Sequence, residues 1–166
     1  MAKRVYLFNE GNKDDRELLG GKGANLCEMT AMGLPVPFGF VITTATCREY
    51  FQTGNKMPSL LEQEYRVALD MVEKKMGARF GDPENPLLFS VRSGAPVSMP
   101  GMMNTILNLG MNDDIAAGLA RKTNNPRFAY DSYRRFIQMF ADVVLGVEGD
   151  GFELVIADYK SEHGKT

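Results

Sequence analysis

The hydrophobic pattern is most informative between Leu87 and Leu109. Its first residues alternate with a period of two, which is typical of a strand: Leu87, Phe89 and Val91 against Leu88, Ser90 and Arg92. Small residues and prolines follow Arg92, and a second short apolar segment ends at Leu109. The pattern predicts a buried strand ending at an arginine, a non-helical loop and a second strand. An anion site and a purely structural arginine both fit this arrangement.

Before this stretch, the pattern predicts a mixture of short strands and helices. Short apolar segments predict strands at residues 5–8 and 39–42. Helical spacing predicts three helices: from Ala24 to Gly33, from Thr43 or Thr44 to about Thr53, and from a capping box at Ser59 to Gly77. The last of these carries an apolar face formed by Leu61, Tyr65, Leu69, Val72 and Met76.

After Gly110 the pattern is helical throughout. Asn112 is the expected cap of one helix, and Asn125 with Pro126 is expected to begin the next. This next helix has one apolar stripe formed by Ala129, Tyr133, Phe136, Ile137, Phe140 and Val144. A last helix is expected from Phe152. We therefore predict an α+β chain with a mixed domain at residues 1–110 and a helical subdomain at residues 111–166.

Composition places the chain among globular proteins. It has 166 residues, of which 44% are hydrophobic and 24% are charged, enough for one domain or for a domain with part of a second. Its net charge of −2 gives no general attraction to nucleic acid, so we expect no such partner. No apolar run approaches the roughly 20 residues of a membrane span, and the first residues contain no h-region of a signal peptide, so we expect neither. We expect a cytoplasmic protein.

Few residues of this chain suit nucleophilic or metal chemistry. The two cysteines, Cys27 and Cys47, and the one histidine cannot form a zinc site, so we expect reduced thiols that are buried or half-buried. His163 lies near the end of the last helix, where we expect no catalytic role. The sequence also singles out no carboxylate as a metal ligand.

The segment Gly20-Gly21-Lys22-Gly23 is the second candidate for anion binding. Glycines let a backbone approach a phosphate, a helix N-terminus offers free N–H groups, and a lysine adds a mobile charge. The segment does not match a Walker A loop, because Arg16 stands at its first glycine and Gly23 at its Ser or Thr. A glycine turn with a solvated lysine remains an equal alternative.

Three segments together resemble the pyruvate, phosphate dikinase family. They are LLGGKGANLCEMTAMGLPVPFGFVITT, LLFSVRSGAPVSMPGMMNTILNLG and NPRFAYDSYRRFIQMFADVV, in this order and spacing. The first is also similar to phosphoenolpyruvate synthases and related dikinases. The resemblance covers nearly all of the chain from Val5 to Val147. It implies the first part of an ATP-grasp nucleotide-binding domain, in which a small mixed sheet with flanking helices precedes a helical subdomain.

The resemblance also implies a function and a set of site residues. The family converts ATP, phosphate and pyruvate into AMP, pyrophosphate and phosphoenolpyruvate through a phosphohistidine on a separate domain. The residues that match its catalytic, phosphate-binding lysine and arginine are Lys22 and Arg92, while Gly101, Met103 and Thr105 match the loop that closes over the nucleotide. ATP is the implied cofactor, together with Mg²⁺ whose ligands are expected outside this chain.

The resemblance further implies that the chain works as part of a larger enzyme. The expected partners are ATP or AMP, phosphate, pyrophosphate and the remaining domains of a full-length enzyme, which is expected to be a homodimer. We expect this segment to be inactive alone. The alternative is a stand-alone nucleotide-binding or interaction module without catalysis.

Overall fold

The computed structural model describes residues 2–93, 105–147 and 149–164. Contacts divide it into two compact units. The first unit contains the described residues up to Ala78 together with Ser93, and the second contains Arg79–Arg92 and the described residues from Thr105 onward. The predicted domains, residues 1–110 and 111–166, remain a prediction.

The first unit is built from one strand pair and three helices. In chain order its elements are β1 (Val5–Leu7), α1 (Arg16–Ala31), β2 (Phe40–Ile42), α2 (Thr44–Gln52) and α3 (Leu61–Met76), with a short 3₁₀ turn at Phe8–Glu10. The strands are antiparallel, with Val5 opposite Ile42 and Leu7 opposite Phe40. Both predicted strands of this part are therefore confirmed.

Strand β1 lies between two clusters of apolar side chains, because successive residues point to opposite faces. Val5 belongs to the cluster with Leu61 and Ala68 of α3. Tyr6 packs on the other cluster, which contains Phe8, Leu19, Ala24 and Cys27. Glu64 of α3 also accepts hydrogen bonds from the backbone N–H groups of Arg4 and Val5 at 2.8 and 3.2 Å. These contacts fasten α1 and α3 to the strand pair.

Local capping chemistry explains several helix ends of this unit and corrects one prediction. The Thr43 side chain accepts a hydrogen bond from the Thr46 backbone N–H at 3.3 Å, as expected of the α2 cap. The predicted capping box at Ser59 is wrong. Leu60 occupies the N-cap position of α3 in a left-handed conformation (φ 66°), without a capping hydrogen bond from its side chain. Helix α3 ends at a left-handed Gly77, as predicted.

The second unit contains the other strand pair and the remaining helices. Its elements are β3 (Phe89–Arg92), β4 (Thr105–Leu109), α4 (Asp113–Thr123), α5 (Pro126–Leu145) and α6 (Asp150–Glu162). Strands β3 and β4 are antiparallel, with Arg92 opposite Thr105 and Phe89 opposite Leu109. The α+β class is confirmed. The strands of the described ranges form two separate antiparallel pairs, where one small mixed sheet was expected.

The core of the second unit forms where α4 and α5 pack near the strand pair. Its buried residues are Met111, Ile115 and Ala116, with Leu88, Leu119, Tyr133 and Phe136 packed against them. The side chains of Asn112 and Asn125 accept the capping hydrogen bonds of α4 and α5 at 2.8 and 3.0 Å, as predicted. The apolar stripe of α5 is only partly covered, since Ile137 and Val144 are 41% and 50% exposed.

Two expectations about burial are wrong. Strand β3 is not a buried strand, since Val91 is 43% exposed and Ser90 and Arg92 are exposed as well. Cys27 is buried as expected, but Cys47 is exposed on α2. Within the described residues, none of the helices combines the length and the apolar character that crossing a membrane requires.

Candidate functional site

The glycine segment forms an interruption inside α1. Gly20 has φ 70° and ψ 162°, in a region that essentially only glycine occupies, whereas the residues on both sides are helical. Helix α1 begins at Arg16, so the prediction that helical structure starts at Ala24 is wrong. A glycine turn at a helix start is nevertheless present, because the interruption creates a second helix start just after Gly20.

This second helix start presents the groups that an anion requires. The first N–H groups of a helix lack intrahelical acceptors and lie at its positive end. After the interruption these are the N–H groups of Gly21, Lys22 and Gly23. The half-buried Lys22 side chain forms no hydrogen bond or ion pair with any other residue that the structure describes. Its ammonium group is therefore available to an anion.

Close packing against β2 fixes the position of this turn. Gly23 is buried, and a Cβ atom at this position would lie 3.0 Å from both methyl carbons of Val41. That separation is tighter than ordinary van der Waals contact, so an added Cβ would require Val41 to shift by a few tenths of an ångström. Glycine lets α1 approach β2 this closely without that shift. Gly20 thus permits the turn, and Gly23 permits the close packing of α1 on β2.

Arg92 is the last residue of β3 in the second unit. Its backbone pairs with that of Thr105, the first residue of β4, so the structure brings these two predicted site residues together. The exposed Arg92 side chain has no ion-pair partner within residues 2–93, 105–147 and 149–164. Gly101 and Met103, the other predicted site residues, lie outside the described residues.

Neither the buried thiol nor the carboxylates of the described residues indicate nucleophilic or metal chemistry. Burial raises the pKa of the Cys27 thiol, and the nearby Asp15 carboxylate raises it further, so the thiol stays protonated at neutral pH. The described part of the chain contains no group of three or more His, Cys, Asp or Glu side chains that could hold a metal ion. What the described groups offer is positive charge and backbone N–H donors.

Comparison with known proteins identifies close relatives. A family model described as the pyruvate phosphate dikinase AMP/ATP-binding domain matches residues 16–67. The chain is 56% identical over 164 residues to pyruvate, phosphate dikinase of Clostridium symbiosum, an alignment that covers 99% of this chain. It is 54% identical to the enzyme of that name from Entamoeba histolytica and to the chloroplastic one from Flaveria trinervia, each over 98% of this chain.

These relatives are much longer than the chain. The matched segment spans 19% of the C. symbiosum protein, 18% of the E. histolytica protein and 17% of the F. trinervia protein. The chain therefore spans less than a fifth of the length of these curated relatives.

Proposed function

Because this chain belongs to the pyruvate, phosphate dikinase family, we propose that it supplies cationic phosphate-binding groups of the family's nucleotide site. One observation carries this proposal. The AMP/ATP-binding family model matches residues 16–67, a segment that begins with α1 and contains the helix interruption beside Lys22. The matched sequence thus coincides with the described geometry that is suited to a phosphate.

The proposed full reaction converts ATP, phosphate and pyruvate into AMP, pyrophosphate and phosphoenolpyruvate. It proceeds through a phosphohistidine on a domain outside this chain. Transfer of a phosphoryl group spreads negative charge over phosphate oxygens, and positioned cations and N–H donors stabilise that charge. Lys22 and Arg92 would neutralise it, the N–H groups after Gly20 would donate to an oxygen, and Gly101, Met103 and Thr105 would close over the nucleotide.

The remaining parts of the proposal concern cofactors, partners and location. ATP requires Mg²⁺ for this chemistry, and we place the Mg²⁺ ligands outside this chain. The partners would be AMP, phosphate, pyrophosphate and the other domains of a homodimeric enzyme. We propose a cytoplasmic location, although the F. trinervia relative is named as chloroplastic.

Binding of Mg-ATP by the 166-residue chain tests the proposal. We expect weak binding, and replacing Lys22 by alanine should weaken it about ten- to a hundredfold, because a charged hydrogen bond is lost. Isothermal titration or NMR titration measures the affinity. The matched control is Lys56→Ala, which removes the same charge from a loop of the same unit. Equal affinities for the two variants would show that Lys22 does not contact the nucleotide.

The isolated chain is also expected to be inactive as a dikinase. Incubation of the purified 166-residue chain with Mg-ATP, phosphate and pyruvate should yield no phosphoenolpyruvate, because the proposed phosphohistidine lies on another domain. Formation of phosphoenolpyruvate at a rate that rises with the concentration of the chain would contradict this prediction.

A further inference from the structure

A hydrogen bond between distant parts of the chain reaches the interrupted helix. The hydroxyl Oγ1 of Thr44, the first residue of α2, donates to the backbone carbonyl of Glu17 in α1 at 2.5 Å. The two residues are 27 positions apart in the sequence, so this contact is tertiary. Glu17 lies in the single helical turn that precedes Gly20.

The interruption at Gly20 explains why this carbonyl needs a new donor. In a continuous helix, the carbonyl of Glu17 would accept from the N–H of Gly21, four residues later. The dihedral angles of Gly20 (φ 70°, ψ 162°) are far from helical values, so the regular bond from the Gly21 N–H to this carbonyl is not expected. The Thr44 hydroxyl donates to this carbonyl instead, and so ties the turn before Gly20 to α2.

Thr44 is not required for the cap of α2. The adjacent Thr43 performs that role, since its side chain accepts from the Thr46 backbone N–H. Thr43 also anchors the helix start to the strand pair, because its own N–H donates to the Arg4 carbonyl at 2.9 Å. The Thr44 hydroxyl therefore extends from a well-fixed helix start and stabilises the interrupted conformation of α1.

We infer that Thr44 is a positioning residue for nucleotide phosphates, an inference that rests on the proposed function. Its hydroxyl holds α1 in the interrupted form, in which the N–H groups after Gly20 and the Lys22 side chain face a ligand instead of continuing a regular helix. Together with the packing of Gly23 on Val41, it fixes the turn before any nucleotide arrives. Such preorganisation increases affinity, because binding then costs less conformational entropy.

The test compares three threonine variants in Mg-ATP titrations of the chain. Thr44→Val keeps the branched shape and removes the hydroxyl, and it should weaken binding about three- to tenfold. Thr44→Ser keeps the hydroxyl and should restore binding to within about twofold of the unsubstituted chain. Thr30→Val is the matched control, since Thr30 also donates to a carbonyl in α1, that of Leu26, without joining two elements.

A second measurement keeps this inference separable from the proposed function. The backbone amides of Leu18 and Leu19 donate to the Asp15 carbonyl in the helical turn that Thr44 holds, and their hydrogen exchange should be faster in Thr44→Val than in Thr30→Val. Unchanged Mg-ATP affinity in Thr44→Val would overturn the inference. If the unsubstituted chain bound no Mg-ATP, the proposed function would fail instead. Hydrogen exchange would then decide the positioning role, with specific acceleration in Thr44→Val supporting it and unchanged exchange overturning it.

Discussion

Replacing Arg92 by alanine in a full-length dikinase that carries this sequence should slow the ATP half-reaction about 10²- to 10³-fold. The side chain extends from the end of β3, is exposed and has no ion-pair partner in the described ranges, so its loss should leave the fold intact. The pyruvate half-reaction should keep its rate, because in the proposed mechanism it does not use the nucleotide phosphates. Single-turnover formation of AMP measures the first half, and isotope exchange between pyruvate and phosphoenolpyruvate measures the second.

A control variant at a second arginine distinguishes a specific role of Arg92 in the nucleotide site from a general effect of removing a positive charge. Arg127 is an exposed residue of α5 in the same unit, and Arg127→Ala should leave both half-reactions unchanged. If Arg92→Ala slowed both half-reactions equally, the residue would have a structural role. If it slowed neither, Arg92 would not bind the nucleotide.

The second large effect is expected from Gly118 of α4, a buried position where the helix touches backbone. A Cβ atom there would overlap the carbonyl oxygen of Pro83 and lie 2.8 Å from its carbonyl carbon. Backbone cannot rotate away as a side chain can, so Gly118→Ala should lower the free energy of unfolding by about 3 kcal/mol. Urea denaturation followed by circular dichroism measures this change.

Gly151 provides the control for that substitution. It is also a helical glycine, but nothing lies within 4 Å of a Cβ atom placed there. Gly151→Ala should therefore raise the free energy of unfolding by at most about 1 kcal/mol, through helix propensity alone, because Gly151 lies in the first turn of α6. A stabilised Gly118→Ala variant would show that α4 does not pack on the Pro83 backbone as described.

Local chemistry made much of the fold predictable. The caps at Thr43, Asn112 and Asn125 depend on side chains that bond to their own helix, and such signals are readable in the sequence. The start of α1 was not predictable, because a glycine pair usually ends a helix. In the structure only Gly20 breaks the helical geometry, while Gly21 and Gly23 lie within it.

Burial was harder to predict than the elements themselves. The alternation at residues 87–92 shows which side chains share a face of β3, but it does not show whether another layer covers that face. Val91 is 43% exposed, so its side of the strand is only partly covered. The sequence therefore predicted the strand correctly and its burial incorrectly.

The candidate site was predictable only in part, because local patterns do not show which distant segments of the chain come into contact. Glycines beside Lys22 and an arginine at a strand end are visible as patterns, and their assignment to a nucleotide came from family resemblance. The contact from Thr44 to Glu17 joins elements 27 positions apart, so no local pattern could indicate it. The pair Thr43-Thr44 after a strand was a signal for a cap, and the structure assigns that role to Thr43 alone.

The most direct test of the phosphate-binding account is an NMR titration of the 166-residue chain, labelled with ¹⁵N, with Mg-ATP. The account predicts that Mg-ATP shifts the backbone amide signals of four residues: Gly21, Lys22, Gly23 and Arg92. The four titration curves should give the same dissociation constant. Adenosine, which lacks phosphates, should leave these signals in place. Unshifted signals at these residues under saturating Mg-ATP, or equal shifts with adenosine, would contradict the account.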